Sequence, residues 1–472
     1  MDQATSIALP APASFWGSVR EALRGTHHDY TSGSLNRAIF LLAIPMVLEL
    51  VLESLFAVVD VFWVGRLGAQ SVAIVGLTES MLTIIYAVAM GLSLSTTAMV
   101  ARRIGEKDAE GAAVAGVQAL VLGISVSLAM GIPCLMYGPS LLRLMGAPPE
   151  IVAAGGPYAR TMLGGSGAIL LLFLNNAIFR GAGDAAIAMR LLWVSNIINL
   201  LLDPLLIFGI GPFPKLGVTG AAVSTTTGRS IAVLYQLYRL MQGTSHIQVL
   251  RHQIRVELDV LVRLLRVSMT GIMQFLIANT SWIGLVRIVS IFGAAALAGY
   301  TIAIRIVIFV ILPSWGLCNA AATLVGQNLG ARQPDRAEAS VWRTGFYNML
   351  FLGGVGIVFV ILADPIAGLF THDPAVRPLA ASFLRILSYG NIGYAYGMIM
   401  LQAFNGAGDT FTPTIVNLFG FWFFEIPVAY WLSIRAGVGP KGVSFSIVVA
   451  EAAIAVASIL LFRRGKWKLQ KI

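Results

Sequence analysis

The chain alternates long apolar stretches with short polar ones. Twelve of the apolar stretches can cross a bilayer as helices, because about 20 residues rising 1.5 Å each match the thickness of its hydrocarbon core. We number these predicted spans 1 to 12; they cover residues 37–64, 71–99, 113–136, 158–179, 186–210, 217–240, 262–289, 294–319, 341–362, 380–404, 411–434 and 442–462. The pattern predicts an all-α polytopic membrane protein.

Composition agrees with this prediction. Of the 472 residues, 57% are hydrophobic and 11% are charged, whereas a soluble domain has about 25% charged residues. A net charge of +10 is also found in nucleic-acid-binding proteins, but here the basic residues lie between the apolar stretches, like the loop residues of a membrane protein. We therefore expect a lipid bilayer, and no nucleic acid, as a partner.

The basic residues also predict the orientation in the membrane. Of the 32 Lys and Arg residues, 21 precede span 1 or follow an even-numbered span, and 8 lie near the loops that follow odd-numbered spans. Loops rich in Lys and Arg stay in the cytoplasm. We expect an integral protein of the cytoplasmic (inner) membrane with both termini in the cytoplasm.

An internal repeat divides the chain. Residues 179–184 (FRGAGD) recur as residues 404–409 (FNGAGD), 225 positions later, and several Gly, Pro and Arg positions keep this offset. Farther along, Gly217 corresponds to Gly439 at an offset of 222. The repeat predicts two homologous six-helix bundles. Because each has an even number of spans, a pseudo-twofold axis along the membrane normal relates them.

The repeat sets the predicted domain boundaries. They define a cytoplasmic tail with a short amphipathic segment at 15–23, an N-lobe, a cytoplasmic linker, a C-lobe and a basic tail, at 1–34, 35–240, 241–260, 261–462 and 463–472. The GAGD turns suit the cytoplasmic ends of spans 4 and 10. Glycine adopts positive φ there, and we expect Asp184 and Asp409 to cap the following helices.

Span 1 carries three carboxylates, Glu49, Glu53 and Asp60. At 100° per residue they fall within about 40° of one another on a helix. A charge in mid-membrane costs about 2.5–3.5 kcal/mol on insertion scales, so a stripe of three indicates a function. On span 5, Asn199 and Asp203 share a face at i and i+4, and Pro204 is expected to loosen the helix beside them.

The motifs together resemble one family. The motifs of the multidrug and toxic compound extrusion (MATE) family are similar to three features of this chain. These are VDVFWVGRLG at 59–68, LVGQNLGARQPD at 324–335 and the two GAGD turns. The resemblance implies two six-helix lobes in a V around a large central cavity. It also implies an antiporter that expels amphipathic, often cationic, compounds in exchange for H⁺ or Na⁺.

The resemblance further implies a cation-coupling site in the N-lobe. Asp60 matches the family's acidic position in span 1, and Asn199 and Asp203 match its pair in span 5. We add neighbouring polar residues of the same lobe as candidates, namely Glu53, Asn175, Asn176 and Thr225. The alternative is that these groups are hydrogen-bonded acids and amides that only hold helices together.

The C-lobe lacks the coupling acids that some family members have there. Its seventh span offers Gln274 and Asn279 instead. We expect Arg287 and Arg305 to form ion pairs with Glu425 and Glu451 inside the bundle. The predicted residues of a substrate cavity are Glu49, Gln274, Asn279, Arg287 and Arg305.

The sequence thus predicts a monomeric multidrug efflux antiporter that works by alternating access. It is not an enzyme and needs no cofactor. The coupling ion is expected to be H⁺ rather than Na⁺, although Asp60, Asn199 and Asp203 could hold Na⁺. One alternative is a flippase for a lipid-linked oligosaccharide or a similar lipid, which Arg287 and Arg305 favour. A second is a receptor or scaffold derived from a transporter.

Overall fold

A computed structural model describes residues 15–25, 28–243, 246–470 and 472. Parts of the predicted tails and linker, namely 1–14, 26–27, 244–245 and 471, lie outside the described residues. The predicted amphipathic segment forms the helix Phe15–Arg24. The helices of the twelve spans are Leu35–Gly65, Ala69–Gly105, Ala109–Leu144, Pro149–Ala182, Ala185–Phe208, Val218–Gln242, Leu258–Ser290, Ala294–Gly330, Pro334–Phe370, Arg377–Tyr389 with Asn391–Ala407, Phe411–Arg435 and Lys441–Arg463.

Ten of the helices in the described ranges are long and apolar enough to cross a membrane. The other two are those of spans 6 and 10. Span 6 is a continuous helix whose hydropathy is lowered by the polar sequence STTTGRS. Span 10 consists of two shorter helices. The prediction of twelve helices in two bundles is confirmed.

Spans 4 and 10 break at equivalent positions. Span 4 divides into Pro149–Gly164 and Ser166–Ala182, and span 10 divides at Gly390. Gly165 and Gly390 are 225 residues apart, the offset of the sequence repeat. A Cβ atom at Gly165 would lie 2.7 Å from the Thr161 carbonyl oxygen, which explains the need for glycine at this break. The internal symmetry therefore extends to irregular features of the backbone.

Span 11 is irregular in another way. Within it, Leu418–Glu425 and Trp431–Arg435 have π-helical geometry. A π-helix holds more residues per turn than an α-helix, and such segments are frequent at functional sites. In this span the longer segment ends at the buried carboxylate of Glu425.

The two lobes meet near the end of the molecule at which Gly25 and Ile472 pack beside the two GAGD turns, which we call the terminal end. Gly91 of span 2 packs against Ile272 of span 7, and Gly316 of span 8 packs against Val47 of span 1. A Cβ atom at Gly316 would lie 2.6 Å from the Val47 backbone. Glycine thus permits close backbone contact between the lobes.

Candidate functional site

The charge of Glu49 is compensated by a basic partner within the N-lobe. Its Oε1 atom lies 3.0 Å from Nη1 of Arg180 on span 4 and accepts a hydrogen bond of 3.1 Å from the Asn176 amide. Gln236 of span 6 in turn donates to Asn176 at 2.6 Å. The carboxylate is only 3% exposed, so a basic partner is needed to keep it charged.

Glu53 has a basic partner of its own. Nη2 of Arg229, on span 6, lies 3.2 Å from Glu53 Oε1, and Nη1 of the same guanidinium donates to the Tyr86 hydroxyl at 3.2 Å. The contact joins spans 1, 2 and 6. Two of the three carboxylates on span 1 are therefore already paired with arginine.

Asn199 and Asp203 both face span 6. The Asn199 amide donates to the Thr225 hydroxyl at 2.8 Å and to the Ser224 hydroxyl at 3.2 Å, and Ser224 donates to the Asp203 carboxylate. Pro204 does not break the helix, which continues through it to Phe208, but proline has no N–H and so leaves the Leu200 carbonyl without its usual helical donor. Span 6 rather than a break in span 5 provides the polar partners of Asp203.

Asp60 differs from the other two acids of span 1. Among the described residues it has neither a hydrogen-bond partner nor an ion-pair partner, and its Oδ1 atom is buried. It interacts electrostatically with Asp203, with Glu79 of span 2 and with Arg229. Spans 1 and 5 thus bring two acids into mutual range without a basic group bonded to either.

The N-lobe concentrates buried acceptor atoms that have no hydrogen-bond donor among the described residues. These atoms are Glu49 Oε2, Glu53 Oε2, Asp60 Oδ1, Asn175 Oδ1, Asn199 Oδ1, Asp203 Oδ2 and Gln236 Oε1. Buried polar atoms in folded proteins are nearly always satisfied. Protons, water or a small cation would satisfy this set. In the described part of the chain, no three His, Cys, Asp or Glu residues converge as a site for a metal ion.

A central cavity of about 580 Å³ lies between the lobes. Its wall is largely apolar and aromatic, with Phe173, Phe275, Trp282 and Trp315 as large side chains. Of the five residues predicted for a substrate cavity, Asn279 lines it. The lining does not include the other four, which are Glu49, Gln274, Arg287 and Arg305.

The predicted ion pairs of the C-lobe are absent from the described residues. Arg287 and Arg305 are exposed, and neither lies within 4.0 Å of Glu425 or Glu451. Both carboxylates instead line the cavity. The prediction was wrong because helical position alone did not show that the arginines face away from the acids.

Some residues of the site cannot be predicted from the sequence pattern. The position of Arg180 directly after span 4 predicts a loop charge, yet Arg180 lies inside the N-lobe, where it binds Glu49 and lines the cavity. The repeat carried a signal, since the position 225 residues later is the neutral Asn405. Glu79 and Tyr86 of span 2 were also missed, because a single polar residue within an apolar span does not indicate its neighbours.

The GAGD turns lie outside the spans. Gly183 and Gly408 have φ of +90° and +88° as predicted. Asp409 accepts a hydrogen bond of 3.1 Å from the Thr412 N–H, but Asp184 makes no cap and the prediction for it is wrong. Asp184 binds His246 of the linker instead.

The contact between His246 and Asp184 affects the histidine. His246 Nδ1 lies 2.9 Å from Asp184 Oδ1, and the His246 N–H donates to Oδ2 at 2.8 Å. The hydrogen bond to Asp184 raises the pKa of His246. Partial burial opposes this shift, and the charges of Asp184 and Asp29 reinforce it.

Two helical bundles, a cavity between them and a buried acidic network in one bundle define an integral membrane transporter. The family follows from comparison. A family model described as MatE matches residues 45–205 and, a second time, residues 271–431. The chain therefore belongs to the MatE family, and the predicted class, a transporter rather than an enzyme, is confirmed.

Individual proteins agree over nearly the whole chain. A probable multidrug resistance protein of Bacillus subtilis, YoeA, is 26% identical over 93% of this chain and 96% of its own. The FAD transporter of Shewanella oneidensis is 24% identical over 93% and 96%. A solved MOP superfamily transporter from Pyrococcus furiosus, described as having a binding pocket of reverse polarity, covers 96% of this chain and 99% of its own with a TM-score of 0.86 and 28% identity.

Proposed function

We propose that the protein is a cation-coupled multidrug efflux antiporter of the cytoplasmic membrane. It exports amphipathic, often cationic, compounds by alternating access, with both termini in the cytoplasm. The relatives named as multidrug resistance proteins support the substrate class, and the loop charges support the orientation.

The observation that carries the coupling site is the difference among the acids of the N-lobe. Glu49 and Glu53 are paired with Arg180 and Arg229 at 3.0 and 3.2 Å. Asp60 has no such partner among the described residues, although it interacts with Asp203. Asp60 is thus the member of the stripe without an ion pair among the described residues, and binding of a cation at Asp60 and Asp203 neutralises it.

We favour the proton as the coupling ion. A proton needs one carboxylate oxygen, and both Asp60 and Asp203 have a buried oxygen without a donor. Hard cations such as Na⁺ require several oxygen ligands at once. The Asn199 amide nitrogen and the hydroxyls of Ser224 and Thr225 are engaged in hydrogen bonds with one another, so that beside the two carboxylates this group leaves Asn199 Oδ1 as the buried oxygen without a donor among the described residues.

Span 1 links this site to the movement of the lobes. The helix carries Asp60 and also packs against the C-lobe through Val47 and Gly316. Protonation of Asp60 changes the contacts of its carboxylate. It thereby shifts span 1, which is one of the helices in the interface between the lobes. A ligand shifts a conformational equilibrium only when it interacts differently with the two states, and this helix provides such a difference.

The test is proton flux in proteoliposomes driven by an outward gradient of ethidium. We expect Asp60→Asn to abolish both the flux and ethidium export while the protein remains folded. Asp364→Asn is the matched control, because Asp364 pairs with Arg377 at an exposed position of span 9. Full coupled transport by Asp60→Asn would refute the proposal. A dependence on Na⁺ rather than H⁺ would overturn the choice of ion alone.

A second candidate is the export of an anionic amphiphile. It is favoured by the relative named FAD transporter and by Arg180, which lines the cavity. The charge of Arg180 is compensated by Glu49, however, and the arginines that favoured a flippase, Arg287 and Arg305, do not line the cavity. Replacing ethidium with FAD in the same vesicles separates the two candidates.

A further inference from the structure

The C-lobe part of the cavity contains two carboxylates that the coupling site does not use. Glu425 of span 11 and Glu451 of span 12 both line the cavity and interact electrostatically with one another. Glu425 is only 4% exposed. Among the described residues, neither carboxylate has a hydrogen-bond donor or a basic group within 4.0 Å. A buried acid of this kind faces the cavity without a protein partner.

The repeat explains why a partner is missing. The offset of 222 that relates Gly217 to Gly439 also relates Arg229 to Glu451. In the N-lobe, Arg229 supplies the positive charge that pairs with Glu53. The equivalent position of the C-lobe is an acid. The C-lobe therefore has a carboxylate at the position where the N-lobe has Arg229.

Span 11 differs from span 5 in the partners of its acid. The offsets of 225 at the GAGD turns and 222 at Gly217 place Glu425 opposite residues 200–203 of span 5, a stretch that ends at Asp203. Asp203 accepts a hydrogen bond from Ser224 of span 6, whereas Glu425 has no donor among the described residues. The acid of span 11 thus lacks the polar partner that the acid of span 5 has.

We propose that Glu425 and Glu451 form a binding subsite for the positively charged group of an organic cation. The inference deepens the proposed function and rests on it for the direction of transport, but binding itself does not depend on proton coupling. Glu425 and Glu451 repel each other when both are charged, and a cation within reach of both removes that repulsion.

Aromatic side chains complete the subsite. Tyr394 of span 10 lines the same cavity as the two carboxylates, together with Phe421 and Trp282. Aromatic faces attract organic cations, most strongly where water is excluded. Phe421 and Glu425 belong to the same π-helical segment, Leu418–Glu425. The acids provide charge and the rings provide a deformable apolar surface, the combination that suits quaternary ammonium and phosphonium compounds.

The experiment compares two probes of nearly equal size and shape but opposite charge, tetraphenylphosphonium and tetraphenylborate. Their binding to the purified full-length protein is measured at fixed pH for the wild type, Glu425→Gln, Glu451→Gln and the double variant. Glu425→Asp keeps the charge and tests for rescue. Asp364→Asn controls for the loss of an acid outside the cavity. Either single variant carries the test if the other does not fold.

We expect each Gln variant to lose tetraphenylphosphonium affinity at least tenfold, with tetraphenylborate binding unchanged or stronger and with partial rescue by Glu425→Asp. Unchanged phosphonium binding would overturn the inference. An equal loss for both probes would also overturn it, since the acids would then only shape the cavity. So would unchanged binding with an altered pH dependence of transport, because the pair would then be a proton site. Failure of Asp60→Asn to uncouple transport would refute the proposed function and leave this result intact.

Discussion

Arg180 lies 3.0 Å from Glu49, and this ion pair crosses the N-lobe from span 4 to span 1. Both residues are at most 9% exposed. Removing one partner of a buried ion pair leaves an uncompensated charge and costs about 3–5 kcal/mol, whereas removing both charges costs much less. The pair therefore stabilises the lobe only as a unit.

We predict that Arg180→Gln lowers the thermal midpoint of the purified protein strongly. The double variant Glu49→Gln with Arg180→Gln should recover most of the loss. Thermal unfolding in detergent checks this, and the coupling is read from the full cycle of single and double variants. If Arg180→Gln were as stable as the double variant, Glu49 would not depend on Arg180.

The second prediction concerns the partners of Asp203. Asp203→Asn should abolish proton-coupled export as Asp60→Asn does, because it removes the second acid of the site. Thr225→Val should weaken export by a smaller factor, since it removes the acceptor of a 2.8 Å hydrogen bond from Asn199. Proteoliposome transport rates measure both effects.

Thr225→Ser is the matched control for this series. It keeps the hydroxyl and should transport at nearly the wild-type rate. A wild-type rate for Asp203→Asn would remove Asp203 from the coupling site. Equal losses for Thr225→Ser and Thr225→Val would mean that the methyl group rather than the hydroxyl matters.

The third prediction concerns closure of the lobes at the terminal end. A Cβ atom at Gly91 would lie 2.4 Å from the backbone nitrogen of Ile272, so Gly91→Ala should separate the lobes there. Gly76 is on the same helix, and a Cβ atom at Gly76 would meet no atom within 4 Å. Gly76→Ala is therefore the matched control.

Spin labels measure this separation. They can be placed at Glu110 of span 3 and Asp335 of span 9, whose side chains are 67% and 98% exposed, after replacement of Cys134 and Cys318 by Ala. We expect Gly91→Ala to shift the distance distribution to longer values and to slow export. An unchanged distribution in Gly91→Ala would argue against this contact as part of the closed end.

The fourth prediction is a pH dependence outside the spans. The hydrogen bond to Asp184 raises the pKa of His246 above its usual value of about 6.5. A group with a raised pKa in the folded state stabilises it most below its unfolded pKa. The contribution disappears as the pH rises through the folded value. The contact should therefore stabilise the protein at pH 6 and less so as the pH rises above 6.5.

Thermal midpoints of the wild type and His246→Gln, measured from pH 6 to pH 9, check this. The difference between the two should be largest at pH 6 and shrink with increasing pH. His252→Gln is the control, because His252 is largely exposed and lies 4.0 Å from an exposed Glu110. A difference that grows with pH would contradict the assigned sign.

The helices could be predicted from the sequence because bilayer thickness and helical rise leave few solutions for a long apolar stretch. The internal repeat could also be predicted from the sequence, because both halves keep the same motifs at a nearly constant offset. The stripe of Glu49, Glu53 and Asp60 followed from helical geometry alone. These features depend on residues that are close in the chain, or on periodicities that the chain itself displays.

Which charges meet was decided by the tertiary structure. Helical position places a residue on one face, but the rotation of each helix in its bundle determines which neighbour that face contacts. Packing therefore paired Glu49 with Arg180 and Glu53 with Arg229, left Asp60 without such a partner among the described residues, and turned Arg287 and Arg305 away from Glu425 and Glu451. The sequence by itself determined the span pattern, the repeat and the candidate acids. Only the packing of the twelve helices decided which acids are compensated and which face the cavity, because that depends on contacts between residues far apart in the chain.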